Sequence, residues 1–167
     1  MSMKYFVAAP LLLAAVSSQA ADLRVEFVVP AMKVAEYHRP YVAVWIENDQ
    51  RQAVNTLAVW HEQGKKDKWL KDLSQWWRRV GRDLDGPIDG VSGATRLPGT
   101  YQLQWQGIDQ QGQALPAGQY TLSVEVVREV GDRELQRVSF DWPPAEAHTE
   151  QLQGKTELGQ VTLQLTP

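Results

Sequence analysis

Apolar and polar residues alternate along most of the chain, and this two-residue period predicts β-strands. The alternation is clearest where Tyr101, Leu103 and Trp105 are separated by glutamines. The run Tyr41–Ile46 is apolar at every position, which is typical of a strand in the middle of a sheet. Seven such segments lie at about 23–29, 41–46, 54–60, 101–105, 120–126, 136–142 and 161–165.

Most of these segments follow one another at the short spacing of hairpins. They predict an all-β fold, an antiparallel β-sandwich of the immunoglobulin-like kind. In the segment at 120–126, the alternation also predicts that Thr121, Ser123 and Glu125 face solvent.

One segment has a helical period instead. Its apolar residues recur at spacings of three and four, and they are Trp69, Leu70, Leu73, Trp76, Trp77 and Val80. We therefore expect an inserted amphipathic helix at about 68–80, with Asp67 as its N-cap and Gly81 at its end. Its simplest role is to cover one end or edge of the sandwich.

The first twenty residues have the pattern of a secretory signal peptide. Lys4 precedes an apolar run at 5–16 that is shorter than the roughly 20 residues needed to cross a bilayer. Ser18 and Ala20 are small residues at the positions that a signal peptidase reads. We therefore expect cleavage after Ala20, a periplasmic location, and one sandwich domain at 21–167.

Composition excludes several classes of function. The chain has 167 residues and a formal net charge of -3, without the basic surface of a nucleic-acid-binding protein. It has no cysteine, so disulfides, cysteine metal sites and thiol nucleophiles are excluded. His38, His61 and His148 lack the short spacing of metal ligands. No Gly-x-Ser-x-Gly pattern marks a hydrolase nucleophile, so the sequence does not establish an independent enzyme.

The stretch at 85–99 contains four glycines and two prolines, which predicts a long loop without strand or helix. Long loops in small domains often carry function. Within this loop, residues 89–95 read Asp-Gly-Val-Ser-Gly-Ala-Thr.

This heptad resembles the flavinylation motif of extracytoplasmic flavoproteins, in which an FAD:protein FMN transferase attaches FMN to the final threonine through a phosphoester. The resemblance implies that Thr95 is the attachment residue. It also implies that Asp89, Ser92, Gly93 and Ala94 form the context that the transferase recognises. Small side chains in this context would let the backbone enter a narrow cleft.

The mature chain as a whole resembles the DUF2271 family of periplasmic proteins. The matching features are the segment 40–47, the helix at 68–78, the loop from Ser92 to Tyr101, and Pro116–Tyr120. Members are thought to occur beside PepSY-type membrane redox proteins and flavin transferases. This context implies electron transfer, with those two kinds of protein as partners.

Two further expectations concern the surroundings of the flavin. Trp76 or Trp77 is expected to stack on its flat ring, the alternative being that both tryptophans belong to the core. Arg96 or Arg82 is expected to pair with its phosphate.

The sequence thus favours a periplasmic flavoprotein that carries covalent FMN and relays electrons with a membrane redox partner. One alternative is a non-redox immunoglobulin-like binding module that recognises a protein or peptide. A further alternative is an enzyme that binds a small molecule between the helix and the sandwich.

Overall fold

The computed structural model describes residues 20–62, 64, 67–86, 88 and 90–167. Almost all of the predicted signal peptide, 1–20, lies outside these residues. The strands are β1 (Asp22–Val29), β2 (Tyr41–Asn48), β3 (Ala53–His61), β4 (Ser92–Ala94), β5 (Gly99–Trp105), β6 (Gly118–Val127), β7 (Arg133–Trp142), β8 (His148–Gln153) and β9 (Gln160–Thr166). Between β3 and β4 lie a 3-10 helix (Asp67–Asp72), the short helix α1 (Ser74–Arg79) and a 3-10 turn (Gly81–Asp83).

The strands form two sheets, which confirms the predicted all-β sandwich. One sheet has the order β5-β1-β9-β8 and the other has the order β4-β3-β2-β6-β7. The fully apolar β2 lies in the middle of the five-stranded sheet, as its sequence predicts. The pairs are antiparallel except for β3 with β4, which run parallel.

The main core lies between the two sheets. Inward-facing residues of both sheets fill it, among them Phe27, Val44, Trp60, Trp105 and Leu163. These are the apolar positions of the two-residue pattern, so the period that predicts each strand also selects its buried face.

A smaller core, which we call the outer core, lies on the outer face of the five-stranded sheet. Here Leu73 and Trp76 pack against Ala43, Trp45 and Val59. The helical segment therefore covers a face of the sandwich, and the prediction that it covers an end or an edge was wrong. The apolar β2 has one face in each core, which explains why its sequence does not alternate.

The predicted continuous helix at 68–80 was also wrong in its form. The break falls at Leu73, whose ψ of 65° is outside the helical range. Leu70, Leu73 and Trp76 are spaced by three, which suits the tighter 3-10 winding that precedes α1 and brings all three side chains to the sheet. Gly81 begins a further 3-10 turn.

The covering segment buries polar residues that the alternation placed in solvent. Ser123 and Glu125 are fully buried, so the predicted exposure of these two residues was wrong. The Glu125 carboxylate accepts hydrogen bonds from the backbone N–H groups of Gln75 at 3.1 Å and Trp76 at 2.9 Å, and from Arg133 Nη1 at 2.9 Å. It thereby satisfies donors in the first turn of α1 and fixes the helix to the sheet.

The stretch at 85–99 was predicted to contain no strand, but Ser92–Ala94 forms β4. Its register pairs Val59 with Ser92 and His61 with Ala94, along the free edge of β3. An unpaired edge exposes backbone donors and acceptors, and β4 satisfies some of them.

Candidate functional site

A tight turn leads into β4 and is closed by the serine of the motif. The Ile88 N–H donates to Ser92 Oγ at 2.9 Å, and the Ser92 N–H donates to the Ile88 carbonyl at 3.0 Å. Gly90 has a φ of +77°, a conformation that side chains other than glycine rarely adopt. Asp89, the first residue of the motif, lies outside the described residues.

Thr95 follows β4 directly and lines a cavity of about 450 Å³. We call this space the Thr95 cavity. Half-buried Tyr37 and Tyr41 contribute to its wall, together with Trp69 of the 3-10 helix and Arg39. Thr95 is itself half-buried.

Arg128 forms another part of the wall of the Thr95 cavity. Its guanidinium makes a bidentate ion pair with Glu157, with Nε–Oε2 and Nη2–Oε1 distances of 3.0 Å each. Burial raises the pKa of the Tyr37 phenol above 10.0, and nearby Arg128 opposes this rise only in part. Tyr37 is therefore neutral across the physiological pH range.

Acidic and basic groups both face the Thr95 cavity. Its lining includes the carboxylates of Glu62, Asp72 and Glu129. The Arg128 charge is balanced by Glu157, and His38 contacts Glu129 at 3.5 Å. The lining thus carries charges of both signs, including the guanidinium of Arg39.

Arg96, the residue after the motif, stacks on aromatic rings. Its Cζ lies 4.1 Å from the centroid of the Trp60 ring and 5.3 Å from that of Tyr101. These rings belong to opposite sheets, so Arg96 covers the open edge of the sandwich. Arg82, the other predicted phosphate partner, is exposed and lies 3.6 Å from Asp83.

Trp76 and Trp77 line a second cavity of about 460 Å³, which also includes His61 and Ser92. Trp76 is 1% exposed and its Nε1 donates to Thr56 Oγ1 at 3.3 Å, while Trp77 is half-buried. The structure therefore places Ser92, Gly93 and Ala94 in β4, with Thr95 directly after it. It places Trp76 and Trp77 in a different cavity from the one that Thr95 lines.

Tyr37, Tyr41, Trp69 and Arg128 belong to the Thr95 cavity, and sequence reasoning did not select them. Trp69 was visible only as a member of the apolar helical stripe. Tyr37 lies in the segment before β2, Tyr41 begins β2 and Arg128 follows β6, so only the fold brings them beside Thr95.

Within the described ranges, no three histidine or acidic side chains are grouped as a metal site would require. No helix among the described residues is long and apolar enough to cross a membrane.

The fold and site define a class of protein: a two-sheet β-sandwich with a helical segment on one face and a motif-bearing edge strand beside a cavity. The chain belongs to the DUF2271 family of predicted periplasmic proteins, whose family model matches residues 22–160. The protein is periplasmic, in agreement with the signal peptide predicted at its N-terminus. No curated protein and no solved structure matches the chain significantly.

Proposed function

We propose that the protein carries FMN covalently on Thr95 and relays electrons in the periplasm. The observation that carries this proposal is the position of Thr95. The last residue of a flavinylation-like heptad stands, half-buried, in the wall of a cavity of about 450 Å³. This volume lies within the range of small-molecule and cofactor sites, which is about 300–1,000 Å³.

Gly93 gives independent support, because the fold itself does not require a glycine there. Its φ is not in the left-handed region, and a Cβ at this position would meet only Trp60 Cδ1, at an ordinary 3.8 Å. By contrast, the φ of Gly90 does favour glycine. A small residue at position 93 is therefore available for recognition by another protein, such as a transferase with a narrow cleft.

The charges of the Thr95 cavity favour a tether over reversible binding. The charge of Arg128 is already balanced by Glu157, and Asp72 and Glu129 place carboxylates in the same lining. A phosphoester on Thr95 would hold the phosphate in place without a dedicated anion site. Arg39 is the cation of this lining that makes no ion pair with any described residue.

Attachment would be a group transfer without electron transfer. The Thr95 hydroxyl oxygen would bond to the FMN phosphorus of FAD, the bond between that phosphorus and the AMP oxygen would break, AMP would leave, and the hydroxyl proton would be released. An FAD:protein FMN transferase is the partner for this step. Bound FMN supplies the ability to accept and donate electrons.

The protein's own residues would place the cofactor at the surface. Thr95 lies at the end of an edge strand, where a partner can approach without opening either sheet. On the resemblance given above, we propose a PepSY-type membrane redox protein as the electron-transfer partner.

The proposal is tested by expressing the full chain with an FAD:protein FMN transferase. After denaturation, mass spectrometry should find one added FMN, on the peptide that contains Thr95. Thr95→Val should abolish the addition, whereas Thr100→Val, at an exposed threonine of β5, should retain it. An unmodified wild-type chain would overturn the proposal in favour of the binding-module interpretation, and FMN on Thr95→Val would overturn the choice of residue.

A second variant separates recognition from folding. A Cβ at position 93 has room, at 3.8 Å from Trp60 Cδ1, and circular dichroism checks that Gly93→Leu is folded. It should nevertheless lose the modification, because a large side chain would obstruct the transferase cleft. Efficient modification of this variant would contradict the proposed role of Gly93.

A further inference from the structure

We infer that the ring of the tethered flavin lies in the Thr95 cavity and stacks on Trp69, with Tyr37 and Tyr41 completing an aromatic wall. This inference rests on the proposed function and deepens it. It differs from the expectation that Trp76 or Trp77 provides the stacking surface.

The attachment point limits which aromatic rings the flavin can reach. A flavin attached at Thr95 is limited in its reach by the five-carbon chain between its phosphate and its ring. The cavity that includes Thr95 also includes Trp69, whereas Thr95 does not line the cavity of Trp76 and Trp77. The ring can therefore meet Trp69 without leaving the space in which it is anchored.

Trp69 keeps part of its surface exposed. Trp69 is 42% exposed although it lies on a segment whose other apolar residues, Leu70 and Leu73, pack toward the outer core. Aromatic side chains that line a concave site are typical of ligand pockets. An indole ring can stack on a flat heteroaromatic ring.

Trp76 and Trp77 have structural roles. Trp76 is 1% exposed and belongs to the outer core. The rings of both residues also pack on Gly81 so closely that a Cβ there would lie 2.5 Å from Trp77 Cε3 and 2.7 Å from Trp76 Cζ3. Trp76 has almost no surface left to offer a ligand.

The tyrosines suit the polar part of a flavin ring. Tyr37 is neutral at physiological pH, so its hydroxyl can donate a hydrogen bond to a ring nitrogen or carbonyl oxygen. Tyr41 lies edge-on to His61, with 6.4 Å between ring centroids, which holds one side of the wall. The cavity thus combines an aromatic surface with hydrogen-bonding groups.

The inference is tested by time-resolved flavin fluorescence of the modified full chain, because a stacked tryptophan quenches flavin emission. Trp69→Leu and Trp69→Phe are compared with Trp77→Leu, a matched tryptophan in the other cavity. FMN stoichiometry is determined by mass spectrometry and folding by circular dichroism. Both Trp69 variants should lose part of the quenching and show a longer flavin lifetime, whereas Trp77→Leu should keep the wild-type lifetime.

The outcomes distinguish a failure of the proposed function from a failure of the stacking on Trp69 alone. A wild-type chain without added FMN would overturn the proposed function, and this inference with it. FMN present on Thr95 with a lifetime that is unchanged in folded Trp69→Phe, or lengthened only in Trp77→Leu, would overturn the stacking on Trp69 alone. Trp69→Phe keeps an aromatic ring at this position, so it still provides a test if the leucine variant does not fold.

Discussion

The carboxylate of Glu134, near the start of β7, should make the stability of the fold depend on acidic pH. It accepts hydrogen bonds from the backbone N–H groups of residues 155–158, at 2.7 to 3.0 Å, and from Gln136 Nε2 at 3.0 Å. Burial alone would raise the pKa of Glu134, but these donors outweigh burial and lower it from 4.5 to about 2.

The size of the effect follows from this difference in pKa. A group at 4.5 in the unfolded chain and about 2 in the fold contributes about 3 kcal/mol of stability. Because the pKa is lowered by folding, the contribution is complete above about pH 4.5 and is lost as the pH falls toward 2. At pH 3, roughly half of it should remain.

Urea denaturation of Glu134→Gln at pH 7 and pH 3 measures this contribution. The variant should be less stable than the wild type by about 3 kcal/mol at pH 7, and the difference should roughly halve at pH 3. Glu146→Gln, at an exposed carboxylate, is the control and should change little at either pH. An equal loss of stability at both pH values would refute the reasoning, because the effect would not come from the ionised carboxylate.

Three other substitutions test contacts near the candidate site, with urea denaturation as the measurement. Gly81→Ala should cost about 1–3 kcal/mol, because its Cβ would press on two rigid tryptophan rings; unchanged stability would contradict this close packing. Arg128→Met should cost about 3–5 kcal/mol, because it leaves Glu157 buried without its cation; a neutral effect would mean that Glu157 is solvated or protonated instead. Arg96→Ala should cost only about 0.5–1 kcal/mol, because its stacking on Trp60 is near the surface; a larger loss would indicate a further contact.

The sequence predicts strands well where one face of a strand is buried and the other is solvated. It misses β8, whose residues His148–Gln153 are mostly polar and exposed, so no apolar period marks them. It also misses β4, because three residues are too few to show a period. The error at Glu125 has a different cause: a polar residue on an outward face is assigned to solvent unless the covering element is known.

The candidate site could likewise be predicted from the sequence only in part. Thr95 can be predicted because its motif is continuous in sequence. The Thr95 cavity cannot, since Tyr37, Trp69 and Arg128 come from three separate parts of the chain. The composition shows that tryptophan is plentiful, but only the fold determines which tryptophan lies beside Thr95.

The pairing of β1 has a consequence for the order in which the protein folds. Leu23 in β1 pairs with Trp105 on one side and with Leu165 on the other, so both partners of this strand are distant in sequence. Contacts of such long separation form slowly, because a long loop must close before they stabilise the chain. β1 therefore has no partner strand until β5 has been synthesised, and the four-stranded sheet is complete only after β9 has followed.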